Sequence, residues 1–315
     1  MKKLLRICIV FLCVVSCACT ATSEEIASIQ TKVTPDMIKV KYLTSLQTNR
    51  AYCKSFVNEI ELFNNYNYDS GTISTGYNAT AYLENGENDI SIYFTSVNVP
   101  DNIVHDKNAR CEVTLTAATS TQEAIATSIT ATADSSGSPT SVLSKEYSYQ
   151  NKPLPIEEGR LNSESPVYKM SRKVICKGLP EWAWTKATPL TDSRKTYQML
   201  QDAYIKLGLI FAKNDFAAFK KAVWLSVEER AMADNLTPEE FFATTGMEED
   251  FNEKMTGVQI TDWSEYKLKL YKGGRIASLE DFAGLTPVAY KDSDGEEYAF
   301  KCFFSLINGQ LVISR

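Results

Sequence analysis

From residue 36 to about 178 the apolar and polar positions alternate with period two, and from 191 the spacing changes to three and four. The alternation falls into short runs at 38–43, 51–57, 60–63, 76–83, 89–96, 110–116, 124–132, 141–149 and 168–176, each predicting a half-buried strand. Turn residues punctuate them, most plainly Asn85-Gly86 and Asp134-Ser135-Ser136-Gly137. Short strands at this spacing predict an all-β sandwich, of jelly-roll type. The Ser/Thr-rich stretch 114–141 carries Ile125 and Ile129 on one face at period two, which predicts an exposed hairpin there rather than a mucin-like linker.

A proline-marked break follows at 179–190, holding Pro180, Trp182, Trp184 and Pro189. Thr191-Asp192-Ser193 then supplies a helix N-cap, and Tyr197, Leu200, Tyr204, Leu207 and Phe211 recur at three or four. Asn214-Asp215 stops that helix and caps a short one carrying Phe216, Phe219 and Val223. Thr237-Pro238-Glu239-Glu240 marks another start, with a capping hydroxyl, proline in the first turn and acids at the positive end of the dipole. Period two returns after Met255. Tyr266-Lys267-Leu268-Lys269-Leu270 alternates, Gly273-Gly274 turns the chain, and 287–290, 298–306 and 311–314 complete a meander with Asn308-Gly309 as a hairpin turn. Helices followed by antiparallel strands predict an α+β domain over 191–315, its sheet curled over the long helix.

The first residues bear on location. Met1-Lys2-Lys3-Leu4-Leu5-Arg6 is a basic start, and the apolar run 7–15 that follows is too short to span a bilayer, so 1–16 reads as an export signal. Val14-Val15-Ser16-Cys17 resembles a bacterial lipobox, which implies lipidation of Cys17 and anchoring to a membrane without a spanning helix. Cys19 is a poorer second candidate, and cleavage after Ala21 is the plain secretory alternative. Residues 17–35 are polar and read as a tether. Ala18 in place of Asp, by resemblance to enteric sorting rules, implies the outer membrane, facing the periplasm. Loss of 1–16 leaves 30 basic against 39 acidic residues, a net of −9. Such a balance opposes nucleic-acid binding and steers a basic protein partner toward the chain. Of the eight cysteines, Cys53, Cys111, Cys176 and Cys302 belong to the body, and an oxidising compartment favours a disulfide among Cys53, Cys111 and Cys176, all in the β half.

Candidate chemistry is sparse. A single histidine, His105, excludes two-imidazole zinc sites and reads as a solvated loop residue. Neither GxSxG, P-loop, GxGxxG nor HExxH is present, and no catalytic, cofactor or metal residue is assigned. Asp292-Ser293-Asp294-Gly295 begins like a calcium loop but lacks the later ligands, and reads as a tight turn. The carboxylate groups Glu239/Glu240, Glu248/Glu249/Asp250 and Asp262/Glu265 read as helix starts and solvated faces. Trp182 and Trp184 either clamp the two halves or form an aromatic platform, and Tyr66 and Tyr68, in Asn64-Asn65-Tyr66-Asn67-Tyr68, have the composition of a binding loop.

Residues 78–90, Asn78-Ala79-Thr80-Ala81-Tyr82-Leu83 with Glu84-Asn85-Gly86-Glu87-Asn88-Asp89-Ile90, resemble the strand–turn–strand of galactose-binding-like jelly rolls. Phe211-Ala212-Lys213-Asn214-Asp215-Phe216 is similar to the junction of the first helices in NTF2-like domains. In overall character the chain resembles lipid-anchored immunity proteins. That implies a non-enzymatic envelope protein binding another protein, a toxin delivered into the periplasm, with membrane contact only through the anchor. A glycan- or small-ligand-binding lipoprotein is the alternative. A hydrolase or isomerase using Asp, Glu or Tyr in the C-terminal cone is the second.

Overall fold

The computed structural model describes residues 38–97, 105–163, 165–253, 255–258, 260 and 262–315. The signal, Cys17, Cys19 and the tether lie outside the described residues. Among the described residues, no helix is long and apolar enough to cross a membrane.

The N-terminal half runs β1 (Lys41–Asn49), β2 (Ala51–Val57), β3 (Ile60–Asn64), β4 (Ile73–Asn78), β5 (Gly86–Ser96) and β6 (Arg110–Ala118). It continues through β7 (Glu123–Ala133), β8 (Pro139–Thr140), β9 (Ser148–Tyr149), β10 (Lys152–Pro153), β11 (Ile156–Arg160) and β12 (Tyr168–Cys176). Two five-stranded sheets result, ordered β4-β1-β6-β7-β8 and β11-β12-β5-β2-β3, while β9 and β10 pair apart. Their pairings are antiparallel. The chain changes sheet between β1 and β2 at Arg50, whose φ is 50°. Alternation then sends Tyr42 and Leu46 inward from one sheet and Ala51, Cys53 and Val57 from the other. Ile90, Ile92, Phe94, Leu115 and Ile129 fill the space between at 0% exposure. Each such side chain contributes about 1.5–3 kcal/mol of burial.

Two expected strands end early. The run 76–83 stops at Asn78, because its side chain accepts the Thr80 N–H at 3.0 Å and so bends the chain into a 3-10 turn over Thr80–Tyr82. The run 141–149 is interrupted by a turn in which Ser144 N–H reaches Ser141 O at 2.8 Å, leaving Val142 77% exposed.

The C-terminal half opens with α1 (Arg194–Ala212), α2 (Phe216–Asp234), α3 (Pro238–Ala243) and α4 (Met247–Asn252). Ser193 caps α1 at the Thr196 N–H, Asp215 caps α2 at the Ala218 N–H, and Thr237 with Glu240 forms a full capping box for α3. Instead of a short helix, α2 runs 19 residues, because Phe219, Val223, Val227 and Ala231 keep one stripe buried along it.

The strands are β13 (Thr256–Val258), β14 (Lys267–Tyr271), β15 (Ile276–Glu280), β16 (Ala289–Lys291), β17 (Glu297–Ala299), β18 (Phe304–Ile307) and β19 (Gln310–Ile313). They form sheets β13-β16-β17 and β14-β15-β18-β19. β15 has no alternation to read, since all five of its residues are buried. The expected strand 298–306 is divided between β17 and β18, which belong to different sheets. Asn308 and Gly309, at φ 49° and 78°, make the two-residue turn of the β18–β19 hairpin.

The halves share an interior, and 38–315 is one compact unit. Ala233, Tyr271, Ile276 and Phe303 of the C-terminal half belong to the sandwich's own apolar cluster. Arg275 grips Glu84 with two bonds of 2.7 Å, and Lys272 reaches the same carboxylate at 2.6 Å. Burial would raise Glu84, but the hydrogen bonds from Arg275 and Lys272 hold it below the usual carboxylate range. Gly274 lies at φ 85° with Leu190 O only 2.1 Å from where a Cβ would sit, so the turn after β14 admits no side chain.

Candidate functional site

The outer face of β2 carries Tyr52, Lys54 and Phe56, since Ala51, Cys53, Ser55 and Val57 point inward. On the neighbouring β5, Tyr93 stands opposite Lys54, and its ring centroid lies 4.4 Å from that of Phe56. The chain after β3 is pinned from inside by Asn65, which is fully buried. Its Oδ1 accepts the Cys53 N–H at 2.7 Å, and its Nδ2 donates to Ala51 O at 2.8 Å and Thr48 Oγ1 at 3.0 Å. Held there, the loop presents Tyr66 and Tyr68, each 43% exposed. Tyr66 stands edge-on to Tyr52, centroids 5.8 Å apart.

A second projection reaches this face from the C-terminal half. Asp281 ties off a five-residue turn, its Oδ1 accepting the N–H groups of Ala283 at 2.8 Å and Leu285 at 2.9 Å. At its tip Phe282 is 97% exposed. Lys54 links the two projections. Its ammonium lies 5.1 Å from the Tyr66 centroid, 3.1 Å from Glu61 Oε2 and 3.4 Å from Ala283 O.

Charges of both signs surround the rings, with Glu59 and Glu61 near Tyr93 and with Lys169 and Lys173 paired opposite Tyr93 and Asp89. Burial, then the Glu61 carboxylate, pushes Tyr66 up to about 12. Burial raises Tyr93 too, with Glu59 and Glu61 adding to it. Asp89 is pushed up to about 6 by burial, which Lys173 and Lys169 oppose and to which Glu59 and Glu157 add less. Aromatic rings set among charges of both signs suit recognition of a polypeptide surface.

The remaining sequence candidates fall elsewhere. Trp182 and Trp184 are 1% and 0% exposed, so neither indole offers a surface platform. Their N–H groups donate to Leu83 O at 2.8 Å and Ala81 O at 3.2 Å, fastening the 179–190 segment to the sandwich. The body cysteines are buried free thiols. Cys53 lies thiol to thiol with Cys111 across the sandwich, and burial with that contact raises it. Cys176 sits beside Tyr42 and Asn88, pushed up to about 12 by burial. His105 is 3% exposed rather than solvated, stacked near Phe94 and accepting the Ser96 N–H at Nδ1, 3.2 Å. Asp292 closes the expected tight turn, accepting the Asp294 and Glu296 N–H groups. Among the described residues no cluster of three or more His, Cys, Asp or Glu is placed to hold a metal.

No family model, curated protein or solved structure matches the chain. Phe282 was missed by sequence reading. The available signal was a large apolar residue between Asp281 and Gly284, positions that mark a turn and so exposure.

Proposed function

We propose that this chain is a lipid-anchored envelope protein, held at the outer membrane through Cys17, that binds another protein without catalysing a reaction on it. The sharper form of the reading is immunity: the aromatic face covers the working surface of a toxin acting in the periplasm. One observation carries it, the 97% exposed Phe282 held on a tied turn beside Tyr66 and Tyr52. A large ring kept in water on a rigid support costs little ordering on binding and suits a pocket in a partner. The net charge of −9 left after loss of 1–16 supports a basic partner. The fold reading that accompanies this is a jelly-roll-like sandwich joined to an NTF2-like domain, supported by two five-stranded antiparallel sheets followed by paired helices and a four-stranded sheet.

The test is capture. The soluble body from residue 20 onward is immobilised and exposed to secreted and envelope proteins of its own and competing bacteria. One effector is expected to be retained in stoichiometric amount, with deletion of the gene abolishing self-protection. The double change Phe282→Ser with Tyr66→Ala should weaken that capture by at least about 2 kcal/mol, the scale of an interface hot spot. Retention of no protein by the folded body would sink the reading.

A further inference from the structure

A groove of about 510 Å³ lies between the first turn of α1 and the chain that leads into β14. Three aromatic residues line it, Tyr197, Trp263 and Tyr266, together with the polar side chains of Asp192, Arg194 and Ser264.

The turn that carries two of these rings is tied from within. Asp262 Oδ1 accepts the Ser264 N–H at 2.8 Å and the Ser264 hydroxyl at 2.6 Å. The Tyr266 N–H reaches Trp263 O at 3.2 Å, and the Lys267 ammonium donates to Ser264 O at 2.9 Å. Tyr197, from α1, donates its hydroxyl to the same Trp263 carbonyl at 2.8 Å and so fastens the turn to the helix. Trp263 and Tyr266 are thereby set with centroids 6.0 Å apart and planes at 53°. Rings held in place beforehand lose little freedom when a ligand arrives.

The polar groups of the groove are, by contrast, uncommitted. Trp182, Trp184 and Trp224 each give the indole N–H to an oxygen. Trp263, the fourth tryptophan, is partly buried, yet its N–H has no partner among the described residues. The Asp192 carboxylate, the Arg194 guanidinium and the Tyr266 hydroxyl likewise have no hydrogen-bond or ion-pair partner among the described residues. Charges of both signs meet here. Arg194 and Lys267 line the groove with Asp192, and Asp262 and Glu265 belong to the same turn. Burial, with Asp262 adding to it, raises Tyr197, and burial, then Asp281, Glu265 and Glu297, raises Tyr266, so both hydroxyls keep their protons. The carboxylates stand against an anionic ligand and Arg194 against an organic cation. An uncharged molecule rich in hydroxyls meets both, since each hydroxyl donates to a carboxylate or accepts from a guanidinium.

We infer that this groove binds a neutral carbohydrate, a sugar ring laying its C–H face against Trp263 beside Tyr266 while its hydroxyls meet Asp192 and Arg194. The negative face of an aromatic ring attracts such C–H groups. The volume falls within the range of ligand pockets, about 300 to 1,000 Å³. Ser264, Glu265 and Lys267 at the rim are exposed, which leaves room for the ring to belong to a longer glycan. The groove shares no residue with the aromatic face around Phe282 and does not rest on the protein-binding reading.

The test is an array of neutral oligosaccharides built from glucose, galactose, mannose and N-acetylglucosamine, beside uronic-acid oligosaccharides, probed with the full chain carrying Cys17→Ser. At least one neutral sugar is expected to be held in preference to the acidic ones. Titration of that sugar should change the tryptophan emission, and Trp263→Phe should remove the change while Trp182, Trp184 and Trp224 remain. Trp263→Ala should weaken binding at least about tenfold, and Arg194→Ala, an exposed change that spares the Tyr197–Trp263 bond, should weaken it several-fold. Phe282→Ser should leave sugar binding intact, which separates this site from the aromatic face. Circular dichroism establishes that each variant is folded. No sugar held by the folded parent chain, preference for the acidic sugars, an emission change that survives Trp263→Phe, or undiminished binding by folded Trp263→Ala would each overturn the inference.

Discussion

At the scale of single residues, His105 shows how burial rewrites a side chain's meaning. Its neighbours Asp106, Lys107 and Asn108 mark a polar loop, yet the ring is packed near Phe94 and set edge-on to Tyr168. Burial, only partly offset by the Pro166 carbonyl, holds its pKa below the ordinary 6.5. The native state therefore takes up the proton less readily than the unfolded chain, and stability is lost as pH falls through 6.5 toward the depressed value. Denaturant unfolding at about pH 7.5 and about pH 5.5 should show lower stability at the acid end, and His105→Gln should flatten that difference. A slope unchanged by the substitution would place its cause in other groups.

Between elements, the register of strands decides which cysteines meet. Cys53 lies on β2 and Cys111 on β6, where it pairs with Thr48 of β1 and Ala131 of β7. Both face the interior from opposite sheets, while Cys302 belongs to the C-terminal core. Of the three pairings open among Cys53, Cys111 and Cys176, the geometry favours Cys53 with Cys111. Treatment with diamide, followed by unfolding, alkylation and peptide mapping, should find these two protected together. Cys111→Ser should leave Cys53 alkylated and Cys176→Ser should change nothing. The closed bridge should add about 2–4 kcal/mol, judged from the loop it spans. The capping signals belong to this scale too. Ser193, Asp215 and Thr237 were legible because a cap is a contact within one turn of chain. β15 was not, because a strand buried on both faces carries no alternation.

Over the whole molecule, the two halves meet through a shared core and through Glu84, gripped by Arg275 and Lys272. Tryptophan fluorescence and far-ultraviolet circular dichroism should accordingly report one coincident denaturant transition. Trp182→Ala, which empties space at that junction, should lower stability by about 3–5 kcal/mol while keeping the transition single. Two separated transitions would show halves that fold independently. The long-range arrangement is also what the candidate sites depend on. Tyr66 and Tyr68 were visible in the sequence as a loop of binding composition, but Phe282 joins them only because the fold sets the 281–285 turn beside Lys54. Tyr197 and Trp263 likewise share a groove although 66 residues separate them in the chain. Period and capping, both written in neighbours, determined the β-rich first half, the helix starts and most strand positions. Tertiary structure alone decided that the Trp182–Trp184 segment is interior, which cysteines face each other, and where aromatic rings and cations converge. Those outcomes depend on burial and on contacts between residues far apart in the chain, and local periodicity carries no information about either.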